Sequence, residues 1–125
     1  MENLKNYEKK VLNLLVGTNL PSDELNSIIG DGKLVGYEYT GSGYFVAISH
    51  PLIPAERTVY DKPFVIGEAD GITCGFIVFI EGKQVILECH SWGEINVPED
   101  FRDRNVQVKA TAIEEGKFVD LKTSI

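Results

Sequence analysis

Hydrophobic residues recur at helical spacing in the first thirty residues and then switch to alternation. Leu4, Tyr7, Val11, Leu12 and Leu15 fall on one side of a helix, Lys5, Asn6, Lys9, Lys10 and Asn13 largely on the other, and Gly17 stands where such a helix stops. Pro21-Ser22-Asp23-Glu24 opens a shorter helical segment carrying Leu25, Ile28 and Ile29, closed by Gly30-Asp31-Gly32. From Lys33 the period drops to two. Runs on either side of Thr40-Gly41-Ser42-Gly43 form a hairpin whose one face collects Val35, Tyr37, Tyr39, Tyr44, Val46 and Ile48.

Residues 50–55 carry two prolines and read as a loop or edge crossing. Two short strands follow, Arg57 to Tyr60 and Phe64 to Ile66, separated by Asp61-Lys62-Pro63, and the prolines favour edge positions for both. The most apolar stretch runs from Gly75 to Trp92 and folds back on itself around Glu81-Gly82-Lys83. Centring the turn on Glu81-Gly82 or on Gly82-Lys83 changes the register, but face membership survives either choice. Phe76, Val78, Ile80, Val85, Leu87 and Cys89 share a core face; Ile77, Phe79, Ile86, Glu88, His90 and Trp92 share a mixed one. Beyond a polar segment from Gly93 to Arg104, with one helical turn under Phe101, a third hairpin pivots on Glu114-Glu115-Gly116. Its inner face holds Val108, Ala110, Ala112, Val119 and Leu121, and the small alanines leave room for the N-terminal helix.

These elements predict one α+β domain over residues 1–125, with a helical segment at 1–30 and a predominantly antiparallel β core at 33–123. Three hairpins make the core a curled sheet, a barrel or a sandwich.

Composition narrows the function classes. The formal net charge of -7 argues against nucleic acid and anionic membrane surfaces, which need clustered Lys and Arg. It mildly favours a basic partner. The apolar run Val11 to Val16 is short, is broken by Asn13 and is followed by no cleavage signal, and no window approaches a membrane span, so a cytoplasmic setting is expected. Cys74 and Cys89 read as buried thiols, although one of the two hairpin registers would set them opposite each other.

No catalytic, metal or cofactor signature is present. Glu88 and His90 share a face at i, i+2 spacing, so the carboxylate could orient the imidazole, but no nucleophile accompanies them. His50, His90, Glu88 and Asp61 could supply metal ligands only by tertiary convergence, and His50 beside Pro51 reads more simply as a strand-end residue bonded to its loop. The expected function is non-enzymatic. A protein partner, or a second copy of the chain, is bound through Phe79, Glu88, His90 and Trp92 together with Glu94, Glu99 and Asp100 of the acidic segment 94–103. The alternatives are that the N-terminal helix covers this face, or that a small-ligand or hydrolytic pocket centres on Glu88 and His90. In general character the chain is similar to the immunity proteins that neutralise toxins in bacterial competition, a likeness of class without a shared motif, which implies a protein partner.

Overall fold

The alternating segments pair into one seven-stranded antiparallel sheet in the computed structural model, which describes residues 4–114 and 117–120, with side chains described as far as residue 111. The helices are α1 (Asn6–Val16) and α2 (Ser22–Asp31). The strands are β1 (Lys33–Tyr39), β2 (Gly43–Ser49), β3 (Thr58–Ala69), β4 (Ile72–Glu81), β5 (Gln84–Ser91), β6 (Gln107–Glu114) and β7 (Lys117–Asp120), in the spatial order β1-β2-β5-β4-β3-β6-β7. The sheet is open, with β1 and β7 at its edges. It is neither closed into a barrel nor doubled into a sandwich among the described residues, because the helices supply the second layer. No helix among the described residues is long and apolar enough to cross a membrane.

The apolar stripe of α1 packs against β3, β4 and β6, with Val11, Leu12 and Leu15 fully buried. The sheet answers with Phe76, Val78 and Leu87 of the expected core face, with Val108 of the expected inner face of β6, and with Val46 of the β1–β2 hairpin. Val108 and Ala110 of β6 are buried beneath α1, while Glu115, Gly116 and Leu121 lie outside the described residues.

The central hairpin turns on Gly82-Lys83, both with positive φ (58° and 60°), which suits the twist of a two-residue connection. Glu81 therefore pairs with Gln84, and Cys89 lies opposite Phe76 while Cys74 lies opposite Ser91. The cysteines are free, buried and diagonal to each other. The contact with the Cys74 thiol, together with burial, pushes the Cys89 thiol far above the usual range.

Two expectations need correction. A register shift between Leu34 and Gly36 swings Val35 outward, leaving it 49% exposed, so Leu34 takes its place beside Ile48 while Tyr37, Tyr39, Tyr44 and Val46 keep the core side. The two short proline-flanked strands are one strand, β3: Phe64 to Glu68 lies inside the sheet between β4 and β6, whereas Thr58 to Tyr60 pairs with β4 alone among the described residues, the edge position expected of it. Its one proline, Pro63, is accommodated because residues 61–64 bulge out opposite Ile77, where it need not donate to the β4 ladder.

One buried charge joins the layers. Glu8, with 0% exposure, stands four residues after Leu4 and four before Leu12, inside the apolar stripe. Its Oε1 accepts the Lys5 backbone N–H at 2.7 Å and Arg102 Nη2 at 2.8 Å; its Oε2 accepts Arg102 Nε at 2.8 Å and the Tyr44 hydroxyl at 2.5 Å. Since the Tyr44 proton is committed to the carboxylate, Tyr7 donates to the Tyr44 oxygen. Burial, reinforced by the Glu8 charge, raises both phenols well above their ordinary value. The carboxylate thus ties the start of α1 to β2 and to the 3-10 turn Phe101–Asp103, whose Phe101 is itself fully buried.

Arg102→Met strands this carboxylate without a countercharge and should cost about 3–5 kcal/mol in urea unfolding. The double variant Glu8→Met/Arg102→Met should lose less than Arg102→Met alone. A double variant less stable than the single one would show that the Glu8 carboxylate still stabilises the fold through Tyr44 and the Lys5 N–H after its countercharge is gone.

Candidate functional site: the open face of the sheet

With both helices on the core face, no described helix or strand packs over the other face, and its side chains are half-exposed. Strand register orders them in rows. Gly36, Ala47, Ile86, Phe79 and Val59 form one row across β1, β2, β5, β4 and β3. Glu38, Phe45, Glu88 and Ile77 form the next, and Gly43, His90, Gly75, Ile66 and Lys109 the third. Polar rows close both ends: Ser49, Gln84 and Glu81 with Arg57 at one, Thr73, Glu68 and Gln107 at the other. An apolar centre inside a polar rim has the anatomy of an interface.

Trp92 follows β5, and its backbone N–H donates to the Thr73 carbonyl, which holds the indole over the sheet. His90 stacks on it, with ring centroids 5.9 Å apart. Both rings lie over Gly75: a Cβ there would sit 2.5 Å from Trp92 Cε3 and 2.6 Å from His90 Nε2. The missing side chain is therefore what lets the two rings lie flat. Beside them the β3 bulge leaves a hollow of about 220 Å³, lined by Asp61, Phe64, Val65, Phe76, Ile77, His90 and Trp92. That is below the roughly 300–1,000 Å³ typical of small-molecule sites.

Of the residues singled out by sequence, Phe79, Glu88, His90 and Trp92 share this face, as alternation required. Glu94 is exposed just beyond it. Glu99 and Asp100 are carried to the helix side, since Val97 and Phe101 on either side of them are core residues and Asp100 pairs with Arg104 at 3.0 Å. The acidic segment and the Trp92 face are thus two surfaces. His50 is remote from His90, and its Nδ1 accepts the Leu52 N–H at 3.1 Å, the loop bond expected beside Pro51. Among the described residues, no group of three or more His, Cys, Asp or Glu side chains could hold a metal ion.

Glu88 and His90 are neighbours, yet no hydrogen bond joins them. His90 Nδ1 is the one buried side-chain polar atom without a partner among the described residues. Burial depresses the His90 pKa and Glu88 partly offsets this, so the imidazole is neutral at pH 7. The residues that sequence reasoning missed are Glu8, Tyr44 and Arg102 in the core, and the bulge at residues 61–64 that shapes the hollow. Only Glu8 carried a signal, a charge within an apolar stripe.

No protein-family model, curated protein or solved structure matches the chain.

Two measurements follow from this geometry. Gly75→Val should lift the indole off the sheet, red-shifting the fluorescence of the sole tryptophan and costing about 1–3 kcal/mol; unchanged emission would contradict the packing. A histidine kept neutral by folding contributes stability that is present above its unfolded value near 6.5 and is lost as pH falls toward its lower folded value. The His90 ring resonance should accordingly titrate below 6.5, and lower still in Glu88→Gln, where the offsetting charge is gone. A midpoint that rises in Glu88→Gln would reverse the assigned sign.

Proposed function

We propose that the chain is a non-enzymatic protein-interaction module, and that the open face of its sheet is the contact surface. The observation that carries this reading is a contiguous, half-exposed apolar field, from Phe45 and Ala47 through Ile86, Ile77 and Phe79 to Val59, on the face away from the helices. Patches of this kind on a folded domain mark surfaces that another molecule covers. Five strands about 4.8 Å apart, each spanning about seven residues at about 3.3 Å per residue, give the open face with its polar rim a flat footprint of about 550 Å². The accessible surface of side chains standing on that footprint is larger, approaching the roughly 800 Å² per partner of a standard interface.

Catalysis is less well supported. The Glu88 and His90 pair lacks the mutual hydrogen bond that would orient a general base, and no Ser, Thr, Cys or Lys side chain lines the hollow. A stoichiometric binder, the role that immunity proteins represent, fits a face with much area and little chemistry.

Val59→Asp and Ile86→Asp place charges in this field at exposed or half-exposed positions. Immobilised and compared with the unaltered chain, these variants should lose partner capture by about tenfold or more, with melting temperatures within about 3 °C of the wild type. Val35→Asp, equally exposed but at the β1 edge, should capture normally. Reversing Glu94 and Glu99 to Lys examines the acidic segment separately. Loss of capture there, with none in the face variants, would move the contact to that segment.

A further inference from the structure

On the proposed binding face, one row departs from its apolar surroundings. Glu38 of β1 and Glu88 of β5 stand on either side of Phe45 of β2, each one strand away, with Ile77 next in line. The two carboxylates are therefore about 10 Å apart across a phenyl ring, from the spacing of neighbouring strands. Glu88 is half-buried among Phe45, Ile77, Ile86 and His90, and neither glutamate has a hydrogen bond or ion pair with another described residue. Elsewhere the one fully buried acid among the described residues is matched by a base, and so are several exposed ones. Glu8 has Arg102, Asp100 and Asp70 share Arg104, and Glu81 has Arg57. His90, the nearest basic side chain along the strand, is held neutral by its burial and supplies no countercharge.

A carboxylate within an apolar field that is to be covered needs a cation from whatever covers it, since an uncompensated buried charge is strongly unfavourable. From this charge complementarity we infer that the occupant of the face is a different protein, with an apolar surface that projects an arginine or lysine onto Phe45 between Glu38 and Glu88. The alkyl stem covers Phe45 and Ile77, while the cationic head meets the ring face and both carboxylates. The inference rests on the interaction reading above and adds the chemistry of the partner.

A second copy of this chain fits the same face poorly. Stacking two copies would enclose Glu38 and Glu88 from each in one dry layer, while Lys33, Arg57 and Lys109 lie on the perimeter of the face and Lys62 is engaged over the Phe64 ring at 4.2 Å. The net charge of -7 on each copy adds to that cost.

The test uses three tripeptide probes on the full chain: acetyl-Leu-Arg-Leu-amide, the neutral norleucine analogue of the same length, and the glutamate analogue. Amide chemical shifts of Glu38, Phe45 and Glu88 report binding. The arginine peptide should shift these amides saturably and bind about five- to tenfold more tightly than the norleucine peptide, with the glutamate peptide weakest. The preference should shrink as salt is raised. Glu38→Gln and Glu88→Gln should each remove part of it, and the double variant all of it, with norleucine binding unchanged. Both substitutions fall on side chains without described polar partners, so the fold should be retained. Equal binding of the arginine and norleucine peptides would overturn the cationic anchor while leaving the interaction reading intact. A concentration-dependent dimer in sedimentation equilibrium that Val59→Asp dissociates would assign the face to a second copy and overturn the inference. Absence of saturable shifts from all three peptides would also overturn it; the interaction reading falls only if Val59→Asp and Ile86→Asp retain partner capture.

Discussion

A carboxylate without access to water orients this molecule. Glu8 is held by the Arg102 guanidinium, by the Tyr44 hydroxyl and by the backbone at the start of α1, so helix, sheet and the loop after β5 meet at one point. A buried ion pair adds little net stability over an apolar substitute, but breaking it is costly, which makes it a strong constraint on geometry. Arg102 reaches Glu8 only when the loop after β5 folds back over the helix side, and that route seats Val97 and Phe101 in the core. Arg102 also lies near the rings of Tyr37 and Tyr44, with its guanidinium carbon 5.4 and 5.8 Å from their centroids.

Because both helices and the returning loop are committed to one side of the sheet, the other side keeps its apolar rows half-exposed. The two faces are therefore of different kinds. The covered face is made mainly of Val, Leu, Ile and Phe, with Tyr44, Cys74 and Cys89, and among the described residues its fully buried charge is that of Glu8, paired with Arg102. The open face mixes apolar side chains with Glu38, Glu88 and a neutral His90, and it uses Gly75 to lay two rings flat beside the β3 bulge. A surface that is apolar yet carries unmatched carboxylates serves poorly as a self-sufficient exterior and well as half of a complementary pair.

Much of this was legible in the residues. The two helices start and stop near the expected glycines and Pro21, and the three expected hairpins pair as alternation requires, because periodicity and turn residues act locally. The grouping of Phe79, Glu88, His90 and Trp92 was legible for the same reason. Val35 was misplaced because a bulge shifts the period by one without altering composition. The second half of β3 was misjudged because Pro63 suggested an edge, whereas a bulge absorbs it and Phe64 to Glu68 continues between β4 and β6. Glu99 and Asp100 could not be separated from the Trp92 face by sequence, since the path of their loop is set by where Val97 and Phe101 find a core.

Sequence by itself determined the alternation that sorts side chains into two faces, the amphipathic stripe of α1, the excess negative charge and the absence of a catalytic motif, all properties of neighbours along the chain. Tertiary structure decided the strand order that places β2 beside β5, the choice of Gly82-Lys83 over the alternative turn, the partnership of Glu8 with Arg102, and which face the helices leave open. These depend on contacts between residues far apart in the chain, such as Glu8 with Arg102 or Tyr44 with Cys89. Local periodicity carries no information about such pairs, because their energy arises only when burial makes an unmatched charge or an uncovered apolar side chain costly.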